Sequence, residues 1–220
     1  MKRRVLLLAV LGCLAVTAPA MAVPNQYMFG FTTGSLGQVQ LLLDGKPVDA
    51  RDSGWYQDAG NHAQTNNNYI VGVLGDVFYH DYFIFDIPRE SRVSSAVLQL
   101  WNPGSPLDGY NSPDPTELYL LYDVKTNPVD LDKDVTGETG IYVDLGTGAL
   151  FGSRIVSAGD NGTFVKIDLN ADALQSINDS AGKAWAVGGA LDFGNPIPEP
   201  TTMLLLGSGL LVGGRLRRRR

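Results

Sequence analysis

VSSAVLQLW, residues 93–101, places Ala96, Leu98 and Leu100 on one side of an extended chain and Ser95, Val97 and Gln99 on the other. A period of two with one apolar face marks a strand that has a core on one side and water on the other. TFVKIDL, residues 163–169, repeats the pattern, with Val165, Ile167 and Leu169 opposed to Phe164, Lys166 and Asp168. Further apolar runs at 39–43, 69–73, 82–86, 117–123, 150–156 and 184–191 are divided by Gly, Pro, Asn and Asp. Short strands at this spacing predict an all-β fold, an antiparallel β-sandwich. One short helix is expected over 171–181, with Asn170 as N-cap and Gly182 as stop. Leu174, Ile177 and Ala181 form the stripe that docks it.

Around this domain the charge is unevenly spread. The 220 residues carry a formal −6, but Lys2, Arg3 and Arg4 stand at the start and five arginines at the end. Between 23 and 198 there remain nine basic and 22 acidic residues, a formal −13. Such a body repels phosphate backbones, so nucleic acid is not an expected partner. Cys13 is the single cysteine, which excludes disulfides, thiolate metal sites and a thiol nucleophile from the body.

MKRRVLLLAVLGCLAVTAPAMA, residues 1–22, has a basic start, an apolar run and small residues at Ala20 and Ala22. This is the layout of a signal peptide, with a helical apolar core and cleavage by signal peptidase after Ala22. A lipoprotein signal ending at Cys13 is the alternative; the apolar run continuing past Cys13 speaks against it. At the other end, residues 201–214 are 14 uncharged residues followed by Arg215, Arg217, Arg218, Arg219 and Arg220. As a transmembrane helix they span roughly 21 Å, short of the hydrocarbon thickness of about 30 Å unless arginines snorkel or the bilayer thins. Both apolar segments carry positive charge on the outer flank, so both ends are expected on the cytoplasmic side while the body crosses. The expected organisation is a signal peptide at 1–22, a sandwich at 23–195 and a tail at 196–220.

Pro198-Glu199-Pro200, a short apolar helix and a terminal arginine cluster together resemble the PEP-CTERM sorting signal of Gram-negative bacteria. The resemblance implies a precursor held in the membrane and recognised by an exosortase, a membrane-embedded cysteine protease, near the Pro-Glu-Pro motif. It also places such proteins in bacteria that make exopolysaccharide and biofilm. A plain C-terminal anchor shares the hydropathy but not the motif. A Leu-Pro-x-Thr-Gly motif is missing, and Gly213-Gly214 follows the apolar segment rather than preceding it.

The body carries a second resemblance. DSGWYQDAGNHAQTNNNYIVG (52–72), YHDYFIFDIP (79–88), SSAVLQLWNPG (94–104) and SPDPTELYLLYDV (112–124) are similar to a domain recurrent in exported bacterial proteins with the same tail. DLGTGALFGS (144–153) and AWAVGGAL (184–191) extend the similarity. In that family a strand ending Phe-Asp precedes one beginning Ser-Ala-x-Leu by some ten residues, as Phe85-Asp86 precedes Ser95 here. The resemblance implies a jelly-roll-like sandwich in an exported setting and brings no catalytic activity with it.

Residues that could carry chemistry are few. His62 and His80 lie outside any metal-binding spacing, and His80 and Asp81 are neighbours on a strand, so they point to opposite faces. Neither a nucleophile elbow nor a phosphate loop is present. Asp130, Asp132, Asp134 and Glu138 could offer alternate carboxylates to Ca²⁺. Val135 stands where a calcium loop needs Gly, and Ile141 where it needs Glu, so the segment reads as a solvated acidic loop. Trp55, Tyr56, Trp101 and Tyr110 are candidates to present rings to sugars. The expectation is an exported, non-enzymatic surface or matrix protein without a cofactor; a carbohydrate-binding sandwich, with optional structural calcium, is the alternative.

Overall fold

The computed structural model describes residues 27–31, 38–89, 92–104 and 109–193. Along the chain run β1 (Tyr27–Phe31), β2 (Val39–Leu43), β3 (Lys46–Gln57), β4 (Asn68–Leu74), β5 (Val77–Asp86), β6 (Ala96–Asn102) and β7 (Thr116–Asp123). Then come α1 (Pro128–Leu131), α2 (Thr139–Leu145), β8 (Leu150–Ser157), β9 (Thr163–Asp168), α3 (Ala171–Asp179) and β10 (Ala184–Leu191). The strand pairings are antiparallel throughout. They follow the order β8-β7-β10-β5-β3-β2-β6-β9, with β4 on β5 and β1 on β4.

The corner strand β3 turns this ribbon into a sandwich. Its first residues pair with β2, and from Ala50 onward it pairs with β5, with a bulge between Ala50 and Asp52. A bulge adds a residue and bends the strand, which lets one strand serve two sheets. Sheet A holds β8, β7, β10, β5, β4 and β1 with the second half of β3; sheet B holds the first half of β3 with β2, β6 and β9. The free edges approach each other, where Arg154 Nη1 of β8 donates to the Lys166 carbonyl of β9 at 2.8 Å.

Between the sheets lies the main core. Val39, Leu41, Leu43, Ala96, Leu98, Leu100, Val165 and Ile167 of sheet B face Tyr69, Val71, Phe83, Phe85, Tyr119, Leu121, Phe151 and Val187 of sheet A. The alternation read at 93–101 and 163–169 is therefore the inner and outer faces of sheet B. α3 closes one end: Asn170 accepts from the Ala173 N–H at 3.0 Å, Ala173 and Ile177 are buried, and Gly182 ends the turn with a φ of 75°.

A second, smaller core lies on the outer face of sheet A. Tyr56, Tyr82, Ile84 and Ala186 pack there under Leu131 and Leu145, with Val124, Val135, Ile141 and Tyr142 around them. Residues 124–146 thus form a cap over sheet A. The strands β1 and β3 and the cap helices α1 and α2 exceed the expected eight strands and single helix. The β-rich architecture is consistent with a jelly-roll-like body.

Candidate functional site

Under the cap edge the sheet buries an unusual amount of polar chemistry. Asp52 Oδ1 accepts from the Ser53 N–H at 2.8 Å and from Asn67 Nδ2 at 2.7 Å. The Tyr82 hydroxyl donates to Asp52 Oδ2 at 3.3 Å and lies 3.2 Å from His62 Nε2. His62 Nδ1 is 2.8 Å from the Trp55 carbonyl, which only accepts, so Nδ1 carries a hydrogen and a neutral ring leaves Nε2 bare. One tyrosine hydrogen cannot serve Asp52 and His62 together. Burial, followed by the charge of Asp132, raises the Asp52 carboxyl to about 6, so below that pH a proton on Asp52 supplies the second hydrogen. Burial lowers His62, in keeping with a neutral ring. His62 also stacks on Tyr56 with centroids 4.8 Å apart, and the Tyr56 hydroxyl donates to the Leu131 carbonyl at 3.0 Å. The network fixes the cap to the sheet.

On the inner face of the same sheet, Asp81 is fully buried and accepts from the Tyr119 hydroxyl at 2.9 Å on both oxygens. Burial holds its carboxyl well above the ordinary range. His80 points the other way, as alternation requires: its Nδ1 donates to the Tyr142 carbonyl at 2.7 Å and its ring stacks on Tyr142 at 4.0 Å. His80 and Asp81 therefore form no catalytic pair.

The four acidic candidates sit in the cap and face different partners. Asp130 pairs with Lys133, Asp134 Oδ1 accepts from the Gln64 N–H at 2.7 Å, and Asp132 turns toward Asp52. Glu138 is exposed, and its backbone N–H donates to the Gly60 carbonyl at 3.0 Å. Among the described residues no three His, Cys, Asp or Glu side chains gather to hold a metal ion.

Of the four ring candidates, Tyr56 and Tyr110 are buried and cannot offer a ring to a ligand. Trp55 is half-buried against His62 and Tyr79. Trp101, also half-buried, lies on the outer face of sheet B, edge-on to Phe164 at 5.1 Å, and Phe164 is 42% exposed. Beside this pair, Asp49, Gln40, Gln99 and Lys166 line up across β3, β2, β6 and β9. Gln99 Nε2 donates to Gln40 Oε1 at 3.1 Å, and Gln40 Nε2 donates to Asp49 Oδ1 at 2.9 Å. A separate groove of about 470 Å³ runs between the cap and α3, lined by Lys125, Thr126, Asn127, Ser180 and Lys183 over Trp185.

Sequence reading did not single out Asp52, Tyr82, Tyr119, Gln40 or Phe164. Only Phe164 left a signal, as an aromatic residue on the polar face of an alternating strand. Ala20, Ala22, Pro198, Glu199, Pro200 and the arginines at 215 and 217–220 lie outside the described residues. Among the described residues no helix is long and apolar enough to cross a membrane.

No curated protein matches the chain. Residues 196–220 match the family model described as the PEP-CTERM protein-sorting motif. The motif implies a membrane-anchored precursor directed to the cell surface. The chain thus carries a PEP-CTERM tail on a β-rich body and is an exported protein sorted by exosortase.

Proposed function

We propose that the chain is a non-enzymatic surface or matrix protein of a Gram-negative bacterium, tied to exopolysaccharide and biofilm. Signal peptidase cuts after Ala22, and exosortase acts at Pro198-Glu199-Pro200. The sorting tail is the observation that carries this reading. It is supported by the way the body uses its titratable groups: Asp52, His62, His80 and Asp81 are each hydrogen-bonded within the fold, to backbone or neighbouring side chains. A catalytic group must instead reach a substrate atom. The test is fractionation of cells that express the full chain, beside a strain unable to make exopolysaccharide. The protein should begin at Val23 and travel with the matrix, and in the second strain it should appear in the medium. A lipidated Cys13, or a distribution indifferent to exopolysaccharide, would contradict the proposal.

The carbohydrate-binding reading is favoured by one observation, the half-buried Trp101 and exposed Phe164 beside a row of amides on the outer face of sheet B. On this reading the body itself holds the polysaccharide.

A further inference from the structure

The outer face of sheet B is laid out in three parallel rows. Pro47, Leu42 and Val97 form an aliphatic row that ends at Asp168. Asp49, Gln40, Gln99 and Lys166 form the polar row next to it. Trp101 and Phe164 form the aromatic row beyond. With strands about 4.8 Å apart, the polar row spans about 14 Å across the sheet. The helices pack elsewhere: α1 and α2 contact strands of sheet A together with β3, and α3 contacts β8.

Each row matches one feature of a sugar. A pyranose offers hydroxyls at its rim and C–H groups on its faces, so it needs hydrogen-bonding groups flanked by apolar surface. Gln40 and Gln99 are held in line by the bonds between them, which leaves each amide with further donor or acceptor capacity. Their fixed orientation lowers the ordering cost of binding. Charge selects the class of polymer. The face carries Asp49 and Asp168 against Lys166, close to balance, on a body of formal −13. An acidic polysaccharide would be repelled by that body and find a single lysine here. A neutral one meets no such barrier.

From this layout we infer that the outer face of sheet B is a platform for a neutral polysaccharide lying across the strands. Its sugars stack on Trp101 and Phe164, and their hydroxyls bond to Gln40, Gln99, Asp49 and Lys166. The inference rests on the carbohydrate-binding reading above and gives it a place and a ligand class.

The test is native gel electrophoresis of the full chain in mild detergent, through gels containing galactomannan, hydroxyethyl cellulose, dextran or alginate. At least one neutral polymer should retard the wild type, independently of salt, and alginate should not. Trp101→Ala and Phe164→Ala should each weaken retention about tenfold, since each removes a stacking surface. Gln99→Ala should weaken it less, and Ile155→Ala, an exposed site on β8, should leave it unchanged. An unchanged melting curve confirms that each variant folds. If a neutral polymer retards wild type and the Trp101→Ala, Phe164→Ala double variant equally, the body binds carbohydrate elsewhere and the platform is wrong. If only alginate retards the chain, and salt abolishes it, the ligand class is wrong. If none of the four gels retards it, the carbohydrate-binding reading falls with the platform.

Discussion

On its outer face sheet A carries Tyr56, Tyr82, Ile84 and Ala186, none more than 5% exposed, beneath a cap of two short helices. On its outer face sheet B carries Gln40, Gln99, Trp101, Phe164 and Lys166, with Phe164 42% exposed. Both faces belong to strands whose other side lines one common core. The difference lies in what each face needs. An apolar outer face must be covered, whereas a face of amides, charges and scattered rings is stable in water. The cover over sheet A comes from a polar, turn-rich segment whose helices of four and seven residues are too short to stand alone. Its order comes from what it touches: its own Leu131 and Leu145 rest on Tyr56, Tyr82, Ile84 and Ala186, and the Asp52–Tyr82–His62 network lies at its edge.

Two adjacent glycines break the comparison most sharply, because each serves one side of sheet A. Gly189 faces inward, where a Cβ would overlap Asp81 Oδ1 and the Tyr119 hydroxyl. Gly188 faces outward, where a Cβ would overlap the Leu145 carbonyl and lift the cap. Gly189→Ala should cost about 3 kcal/mol in urea unfolding, since neither buried partner can move away. Gly188→Ala should cost about 2 kcal/mol. It should also open residues 124–146 to limited proteolysis while β2, β6 and β9 stay protected. Equal proteolysis of both faces would mean that the cap is not a separate layer.

Acidity sharpens the comparison with a smaller effect. The Asp52 carboxyl sits near 3.9 in an unfolded chain and is raised to about 6 in the fold, so the fold favours its protonated form. That contribution is complete below about pH 4 and is lost as pH rises through about 6. Two units correspond to about 3 kcal/mol at most, and screening at the cap edge reduces this to about 1–2 kcal/mol. Burial shifts Asp81 in the same direction. It lowers His62 and His80, so those two remove stability as pH falls. The informative quantity is therefore a difference: Asp52→Asn should gain about 1–2 kcal/mol over wild type between pH 4 and pH 8. A constant difference across that range would show that Asp52 keeps an ordinary carboxyl.

Sheet B was more legible in the sequence than sheet A for the same physical reason. Strands β2, β6 and β9 have one wet face, and their alternation can be read residue by residue. The outward position of Phe164 was visible that way, although its pairing with Trp101 was not, because 62 residues of chain separate them. Strand β3 was hidden because Pro47, Asp49, Asp52, Ser53 and Gly54 suppress any strand signal, and its bulge breaks the alternation. The cap was hidden because its apolar residues, Val124, Leu131, Val135, Ile141 and Leu145, follow no period. Tyr119 reaches Asp81 across β10, a contact created by strand order, which no local pattern encodes.

The smallest effect belongs to the open face. Trp101→Ala should change unfolding stability by about 1 kcal/mol, since its half-buried ring meets the exposed Phe164 edge-on. A loss comparable to that of Gly188→Ala would make the face a structural layer rather than an exposed one.

All of this matters outside the cell only if the tail delivers the body there. Proline fixes φ and lacks an N–H, which suits Pro198-Glu199-Pro200 to recognition by a protease, with Glu199 as the one charge between the prolines. If the arginines act through summed charge, lysines at 217–220 should still permit processing. The most direct measurement is the fate of Glu199→Ala in the native host, followed by immunoblotting of membrane, surface and medium fractions. The account predicts normal removal of residues 1–22 and accumulation of the unprocessed tail in the membrane. Processing of Glu199→Ala at the wild-type rate would contradict it, and would reduce 196–220 to an ordinary anchor.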